Sequence, residues 1–364
     1  MKPSTQEGFF IMNPLIIYTD KKISQLVRKR KFETKIGEKV STISENKDLL
    51  SQLLASPTKF VLLGIPEDIG VRANYGRGGA HTCWQPALES FLNTQSNSFL
   101  IGDEIMVLGH VKTDDLMLEA EELKGKTSTE IKRLRDLVTL LDIRVSEVIS
   151  LVSQSGKIPI VIGGGHNNSF PILKGIRDGL KEIQVNKNIE INVVNCDAHA
   201  DLRDLEGRNS GNGFSYAIEN GFLNKYAVLG LHEQYNSYSV IEKFKNNRER
   251  FSYISYEDIF VREKFNFSSA AEKAVLFCHG SLTGIELDLD SITNVPSSAR
   301  TSSGISPIQA RQFIHLAANK CNPAYLHIAE GAPILAHIKA DNKTGKLVSY
   351  LITDFIKSIQ DKTN

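Results

Sequence analysis

The segment IEINVVNCDAHAD, residues 189–201, is an apolar run that ends in alternating acidic and imidazole side chains. Its apolar residues occupy both alternating faces, which is typical of a parallel strand covered by helices on both sides. The same character recurs in five further runs: KFVLLGIP (59–66), KIPIVIGGG (157–165), YAVLGLHE (226–233), GIELDLDS (284–291) and AYLHIAEG (324–331). Three amphipathic stretches, 128–156, 306–320 and 346–360, have helical periodicity. This alternation predicts an α/β fold with a mainly parallel central sheet.

The first 55 residues do not follow this rhythm. We therefore expect residues 1–55 to form an N-terminal extension and residues 56–364 to form one α/β domain, because no internal repeat or low-complexity linker divides the chain. The basic run VRKRKFETK (27–35) is interpreted as a solvated surface. Ser128 or Thr129 is predicted to cap the helix at 128–156.

The composition excludes several classes of protein. Of the 364 residues, 41% are hydrophobic and 23% are charged, which is ordinary for a globular chain. The formal charge of +1 gives no reason to expect nucleic-acid or membrane partners. No apolar run approaches the roughly 20 residues that span a bilayer, and no signal-peptide cleavage pattern is evident. The four cysteines form no CxxC pair and are expected to be reduced thiols, which favours a cytoplasmic protein.

Polar residues that are unusual for a core follow the apolar runs, where the carboxyl ends of parallel strands place ligands. Four carboxylates crowded together would repel one another, whereas two divalent cations would balance their charge. Oxygen donors with two imidazoles and no thiolate suit Mn²⁺ better than structural zinc, although Fe²⁺, Co²⁺ and Ni²⁺ are alternatives. Taken singly, DxHxD could be a capped turn and DxD a solvated strand end. Together they predict a dinuclear site built from six residues: His166, Asp197, His199, Asp201, Asp288 and Asp290.

Three motifs, GGGH (163–166), DAHAD (197–201) and LDLD (287–290), resemble the metal motifs of the ureohydrolases, the family of arginase, agmatinase, guanidinobutyrase and formimidoylglutamase. The resemblance extends from about residue 58 to 360 and includes VLLGIPEDIGVRANYGRGGA (61–80). It implies an arginase-like three-layer α/β/α catalytic domain with two Mn²⁺ per subunit, and a homo-oligomer, usually a trimer or hexamer. By motif, one ion would be held by His166, Asp197, Asp201 and Asp288, and the other by Asp197, His199, Asp288 and Asp290.

Such a site would hydrolyse a C–N bond of a small cationic amidine or guanidine. Two ions that share a water lower its pKa and so supply hydroxide near neutral pH. Asp201 is expected to orient this nucleophile and to pass its proton to the departing amine. Glu330 in HIAEG (327–331) resembles the substrate-binding glutamate of the family.

The loop EGRNSGNGFSYA (206–217) indicates which member of the family this is. Asn209 and Ser210 stand where arginases and agmatinases carry a histidine, and the loop resembles that of formimidoylglutamases. Arg203 and Arg208 are predicted to bind the substrate carboxylates, since guanidinium groups bind them in bidentate fashion. Asn168 is a further predicted contact.

The expected reaction is therefore N-formimidoyl-L-glutamate plus water giving L-glutamate and formamide, a step of histidine breakdown. A guanidino-compound ureohydrolase that releases urea is the first alternative, and a non-catalytic metal-binding member of the family is the second. Glu286 stands where the family usually has serine, and it is expected either to support the ligands or to belong to the sheet. The remaining histidines, including His327, are interpreted as core or surface residues, and for His232, which follows an apolar run, a pocket residue is the alternative.

Overall fold

The computed structural model describes residues 14–184, 189–336 and 342–363. Within these ranges nine strands form one sheet: β1 (Leu15–Ile17), β2 (Phe60–Gly64), β3 (Ile105–Val111), β4 (Ile158–Ile162), β5 (Ile191–Cys196), β6 (Tyr226–Leu231), β7 (Phe251–Ser255), β8 (Leu282–Asp288) and β9 (Asn322–Ala329). Their order across the sheet is β1-β3-β2-β4-β9-β8-β5-β6-β7. Only the pair β1–β3 is antiparallel among these strands. The prediction of a mainly parallel sheet is confirmed.

Helices of the described ranges cover both faces of this sheet. They are α1 (Asp20–Leu26), α2 (Leu49–Ala55), α3 (Ile69–Ala73), α4 (Trp84–Leu92), α5 (Asp114–Glu122), α6 (Ser128–Gln154), α7 (Ser169–Ile183), α8 (Gly213–Glu219), α9 (Tyr238–Asn246), α10 (Tyr256–Phe260), α11 (Phe267–Phe277), α12 (Pro307–Lys320) and α13 (Lys343–Thr363). None of them is both long and apolar enough to cross a bilayer.

Alternation along the strands divides the apolar core into two layers. On β2, Phe60 and Leu62 pack into the cluster shared with α4, α11, α12 and α13, whereas Val61 and Leu63 pack into the cluster shared with α6 and α7. Side chains of successive strand residues point to opposite faces, so a strand that is apolar throughout must be covered on both sides. The expected three-layer α/β/α architecture is confirmed.

The six apolar runs all contain strands, but the sequence reading missed β1, β3 and β7. β1 has three residues, and β7 (FSYIS) is short and partly polar, so neither gives a strong periodic signal. The cap of α6 is Thr127 rather than Ser128 or Thr129: its hydroxyl accepts a hydrogen bond from the Glu130 N–H, and the Glu130 carboxylate accepts one from the Thr127 N–H.

The segment that we expected to be an extension is packed onto the sheet from residue 14 onward. β1 pairs with β3, and Ile36, Ile43 and Leu53 lie in the core. Residues 1–13 lie outside the described ranges. The part of the extension that is described therefore belongs to the same packed body as the α/β domain.

Candidate metal centre and active site

Four neighbouring strands carry the predicted metal ligands and the glutamate at 330. They are β4, β9, β8 and β5, which are adjacent in the sheet order and mutually parallel. Their carboxyl ends therefore meet at one edge, where open α/β sheets place their ligands. The three sequence motifs converge because each follows or ends one of these strands.

The inner cluster surrounds His166, which follows β4. Its Nδ1 lies 3.1 Å from Asp197 Oδ2, 2.9 Å from Asp201 Oδ2 and 3.4 Å from Asp288 Oδ2. The imidazole is 1% exposed, and Nδ1 makes no hydrogen bond within the described part of the chain. A buried ring nitrogen without a hydrogen-bond partner, facing three carboxylates, is an environment that a divalent cation can fill.

The outer cluster surrounds His199, whose side chain is 30% exposed. His199 Nδ1 lies 3.5 Å from Asp197 Oδ1 and 3.3 Å from Asp290 Oδ2. Asp290 Oδ1 is buried and has no hydrogen-bond partner among the described residues. Asp197 belongs to both clusters, so its two oxygens join them.

Both acidic motifs are capped turns as well as groups of ligand atoms. Asp197 Oδ1 accepts a hydrogen bond of 2.7 Å from the His199 N–H, and Asp288 Oδ1 accepts one of 2.7 Å from the Asp290 N–H. An aspartate that accepts from the N–H two residues on fixes a tight turn. In each motif the two side chains, two residues apart, are therefore turned toward the same site at the end of the strand.

The pKa values of the site reflect an excess of buried negative charge. Burial, together with the charges of Asp290 and Asp197, raises the pKa of Asp288 well above its usual range. Burial and the charge of Asp197 also raise the pKa of Asp201. Burial opposes protonation of His166 and His199, but the carboxylates around them outweigh it and raise both pKa values well above 6.5. These four raised pKa values show that added positive charge is favoured, and two divalent ions would supply it without protonating the ligands.

Asp201 and Glu330 have a backbone conformation that is rare for side-chain-bearing residues. Their φ angles are +48° and +63°. Such conformations cost about 1–3 kcal/mol and cluster at functional sites. Glu330 is also held by a hydrogen bond of 2.9 Å from the His166 N–H to Oε1, and burial raises its pKa to about 8.

A cavity of about 590 Å³ opens onto these side chains. Asp288 and Asp290 line its buried end, with side chains only 3% and 6% exposed, and Arg203 lines it with a side chain 56% exposed. The volume is in the range of small-molecule sites. Of the predicted substrate contacts, Glu330, Arg203 and Ser210 line this cavity, and Asn168, Arg208 and Asn209 do not.

Comparison with known proteins agrees with this geometry. A model of the arginase family matches residues 59–357. This chain belongs to the arginase family. A formimidoylglutamase of Streptococcus pyogenes serotype M12 (strain MGAS2096) is 29% identical to it over 273 residues, which are 72% of this chain and 74% of the relative.

Solved structures share the fold at lower sequence identity. Trypanosoma cruzi formiminoglutamase with Mn²⁺ has a TM-score of 0.66 at 18% identity, over 90% of this chain and 98% of that one. Formimidoylglutamase from Bacillus subtilis has a TM-score of 0.69 at 15% identity, over 92% and 94% of the two chains. The resemblance to formimidoylglutamases is thus confirmed. As an arginase-family enzyme, the protein is a hydrolase of amidine or guanidino C–N bonds, and its two clusters are consistent with a binuclear metal centre.

Arg208 lies outside the cavity, contrary to our expectation from the sequence. Its side chain is 4% exposed, and its Nε donates a hydrogen bond of 2.8 Å to Asp142 of α6. Its other nitrogens donate to Asn212 Oδ1 at 2.9 Å and to the Asn167 carbonyl at 2.7 Å. Nearness in sequence to the ligand loop does not bring Arg208 into the cavity, because its guanidinium points into the protein. In this arginase-family member Arg208 ties the loop to the segment after His166.

Asn168 and Asn209 do not line the cavity either, and instead form hydrogen bonds with the backbone of their own loops. Asn168 Nδ2 donates to Glu67 Oε1 at 2.6 Å and to the Gly165 carbonyl at 3.0 Å. Asn209 Oδ1 accepts a hydrogen bond of 3.0 Å from the Gly211 N–H. Both side chains are fully buried. Their amides satisfy the polar backbone of tight loops, which would otherwise be buried without partners.

Several residues that shape the site were missed by sequence reasoning. Glu67 is fully buried, and its carboxylate accepts hydrogen bonds from the N–H groups of Gly165 and Ile69 at 2.8 and 2.7 Å. Tyr235 lines the cavity and stacks on His199 at a centroid distance of 5.4 Å. His327, which we took for a core or surface residue, is buried against Glu286. The sequence held one signal for Glu67, because this charged residue directly follows the apolar run of residues 59–66.

Proposed function

We propose that the protein is a formimidoylglutamase, which hydrolyses N-formimidoyl-L-glutamate to L-glutamate and formamide in histidine breakdown. One observation carries the proposal: a single cavity contains acidic residues at its buried end and Arg203 toward solvent. The substrate has a matching polarity, with a cationic amidine at one end and two carboxylates at the other. Ser210, in the position where the resemblance places a histidine in arginases, lines the same cavity.

Two divalent ions, proposed to be Mn²⁺, complete the site. His166, Asp197, Asp201 and Asp288 would hold one, and Asp197, His199, Asp288 and Asp290 the other. The unpartnered His166 Nδ1 and the oxygen-rich donor set support this assignment. When bound, such a pair supplies a water of lowered pKa that is nucleophilic near neutral pH.

Glu330 and Asp201 have separate roles in substrate binding and proton transfer. Glu330 offers its carboxylate to the cationic amidine, and the substrate's charge favours the ionised form of a group whose pKa is about 8 in the metal-free protein. Asp201 orients the attacking water and transfers its proton to the departing amine. Its strained backbone holds the carboxylate in the inner cluster, 2.9 Å from His166 Nδ1.

Arg203 is the proposed partner of the substrate carboxylates. Its nearest acidic neighbour is Glu206, with Nε and Oε1 3.7 Å apart. Such a long, exposed contact is worth little, so the guanidinium can exchange it for a bidentate bond with a substrate carboxylate.

The test is a product assay on the purified, Mn²⁺-loaded protein. N-formimidoyl-L-glutamate, arginine, agmatine and 4-guanidinobutyrate are supplied separately, and formamide and urea are measured. Formamide from the first substrate without urea from the others is expected. Urea release would overturn the proposal, and absence of turnover in protein that binds stoichiometric Mn²⁺ would favour the non-catalytic alternative.

Arg203→Met sharpens this assay. We expect KM for N-formimidoyl-L-glutamate to rise about 10- to 100-fold, because a lost charged hydrogen bond is worth about 1.5–3 kcal/mol. Arg133→Met is the control: Arg133 is a half-exposed arginine paired with Glu119 away from the cavity. An unchanged KM in Arg203→Met would exclude Arg203 as a substrate contact.

We also propose a cytoplasmic homo-oligomer, a trimer or hexamer. The resemblance to ureohydrolases supports the assembly, and four buried cysteines without disulfides support the compartment. Light scattering after size-exclusion chromatography measures the assembly, and a monomer at micromolar concentration would contradict it.

A further inference from the structure

A buried polar network lies behind the inner cluster, on the side away from the carboxylates. Its centre is Glu286 of β8, which is fully buried. Glu286 Oε1 accepts a hydrogen bond of 2.7 Å from the Tyr325 hydroxyl, and Oε2 lies 2.7 Å from His327 Nδ1. Both partners come from the neighbouring strand β9, where His327 is directly opposite Glu286. The carboxylate is therefore held from two sides.

The same carboxylate contacts the inner imidazole. Glu286 Oε2 lies 3.3 Å from His166 Nε2, while His166 Nδ1 faces Asp197, Asp201 and Asp288. A neutral imidazole carries its proton on one nitrogen only. In that neutral form, which a metal ligand requires, the acceptor behind Nε2 would hold the proton there and leave the Nδ1 lone pair directed at the carboxylates. The ring is thus held in the tautomer that a metal ligand needs.

The outer imidazole has no such support. Within the described ranges, the carboxylates near His199 approach its Nδ1, on the cluster side, and its ring face rests on Tyr235. Its side chain is 30% exposed, against 1% for His166. Two ligands of the same chemical type are therefore held to different degrees.

We propose that Glu286 is a positioning residue that locks His166, so that the inner cluster binds its cation more tightly than the outer cluster does. The inference rests on the metal centre of the proposed function and adds an order of affinity within it. Serine, the usual residue of the family at this position, offers a shorter and uncharged acceptor. A carboxylate behind a histidine ligand typically changes metal affinity about 10- to 100-fold.

Titration of the metal-free protein with Mn²⁺, with free Mn²⁺ read by electron paramagnetic resonance, tests this order. In the wild type we expect one tight and one weaker ion. In Glu286→Gln the tight step should weaken about 10- to 100-fold, with the weaker step unchanged. Tyr325→Phe is the matched control, since it removes a buried hydrogen bond to Oε1 and leaves Oε2 and His166 in place.

If Glu286→Gln fails to fold, variants of the two histidine ligands still test the order of affinity. His199→Asn should retain the tight ion, and His166→Asn should lose it. The reverse pattern would overturn the inference, as would wild-type affinities in a folded Glu286→Gln. Three ions in the wild type and two in Glu286→Gln would also overturn it, because His166, Glu286 and His327 would then be ligands of a separate ion.

These outcomes are separable from those of the proposed function. Ordered binding of two ions without formimidoylglutamate hydrolysis would refute the function and leave the inference standing. Hydrolysis of N-formimidoyl-L-glutamate by an enzyme that binds its two ions with equal affinity would support the function and refute the inference.

Discussion

The two imidazoles of the centre show how differently one fold can hold two equivalent ligands. His166 is buried, has Glu286 behind its ring, and donates its backbone N–H to Glu330. His199 is partly exposed and rests on Tyr235, which in turn stacks on His232. The inner half of the centre is thus built into the sheet, whereas the outer half faces the cavity. Hydrogen bonds to buried carboxylates surround the inner imidazole, whereas the outer imidazole lines the cavity.

The chain that leads to His166 packs closely against buried polar side chains. Gly163 and Gly164 have φ angles of +89° and +77°, which side-chain-bearing residues rarely adopt. A Cβ on Gly164 would lie 2.4 Å from the Asn168 amide nitrogen and 2.9 Å from the Glu67 carboxylate. The triple glycine therefore lets the backbone pass close to Glu67, which fixes the loop that carries His166.

The largest effect is expected where the two halves meet. Asp197→Asn removes a charge from both clusters, so neither half should bind Mn²⁺ at wild-type affinity. We expect kcat to fall at least about 10³-fold, because metal activation supplies several kcal/mol and each 1.36 kcal/mol is tenfold in rate. Metal analysis and steady-state kinetics measure both effects. Activity within tenfold of the wild type would show that the halves do not share Asp197.

Much of this site could be predicted because strand ends and motif spacing determine it. The six proposed ligands lie at the ends of parallel strands, and the spacing of two residues closes a turn that holds 197 beside 199 and 288 beside 290. The sequence could not show where individual side chains point or which distant residues meet. Arg208 is five residues beyond Arg203, yet one side chain is buried against α6 and the other lines the cavity. Glu286 and His327 are 41 residues apart and meet only through strand register.

A second prediction concerns the support of the inner half by Arg208. Arg208→Met leaves the buried carboxylate of Asp142 without its partner. Breaking a buried ion pair in this way costs about 3–5 kcal/mol, so the urea midpoint should fall markedly. Arg203→Met, on the exposed side, should change the free energy of unfolding by less than about 0.5 kcal/mol.

The double variant Arg208→Met/Asp142→Leu distinguishes the cost of an unpaired buried carboxylate from the cost of lost packing around Arg208. Because both charges are removed together, we expect it to recover much of the stability that Arg208→Met loses. Equal stability of Arg208→Met and Arg203→Met would contradict the distinction between an anchored and an open half.

The smallest effect is expected in the outer half, from the pH dependence of stability at His232. This imidazole is buried between Tyr235 and Tyr256, at centroid distances of 5.1 and 4.5 Å. Burial lowers its pKa, and the charge of His199 lowers it further against the opposing charge of Glu257. The unfolded chain, with a histidine pKa near 6.5, therefore takes up the proton first as the pH falls. Stability should be lost between about pH 6.5 and the lower folded-state pKa, with no further loss from this group below it.

His232→Gln removes that titration and should flatten the pH dependence of Tm between pH 7.5 and 5.5 by about one or two degrees. Both proteins are compared metal-free in chelator, since metal binding itself releases protons. An unchanged slope would mean that the pKa of His232 is the same in the folded protein as in the unfolded chain. The outer half would then be open to water well beyond His199, and Tyr235 would not shield the stack behind it.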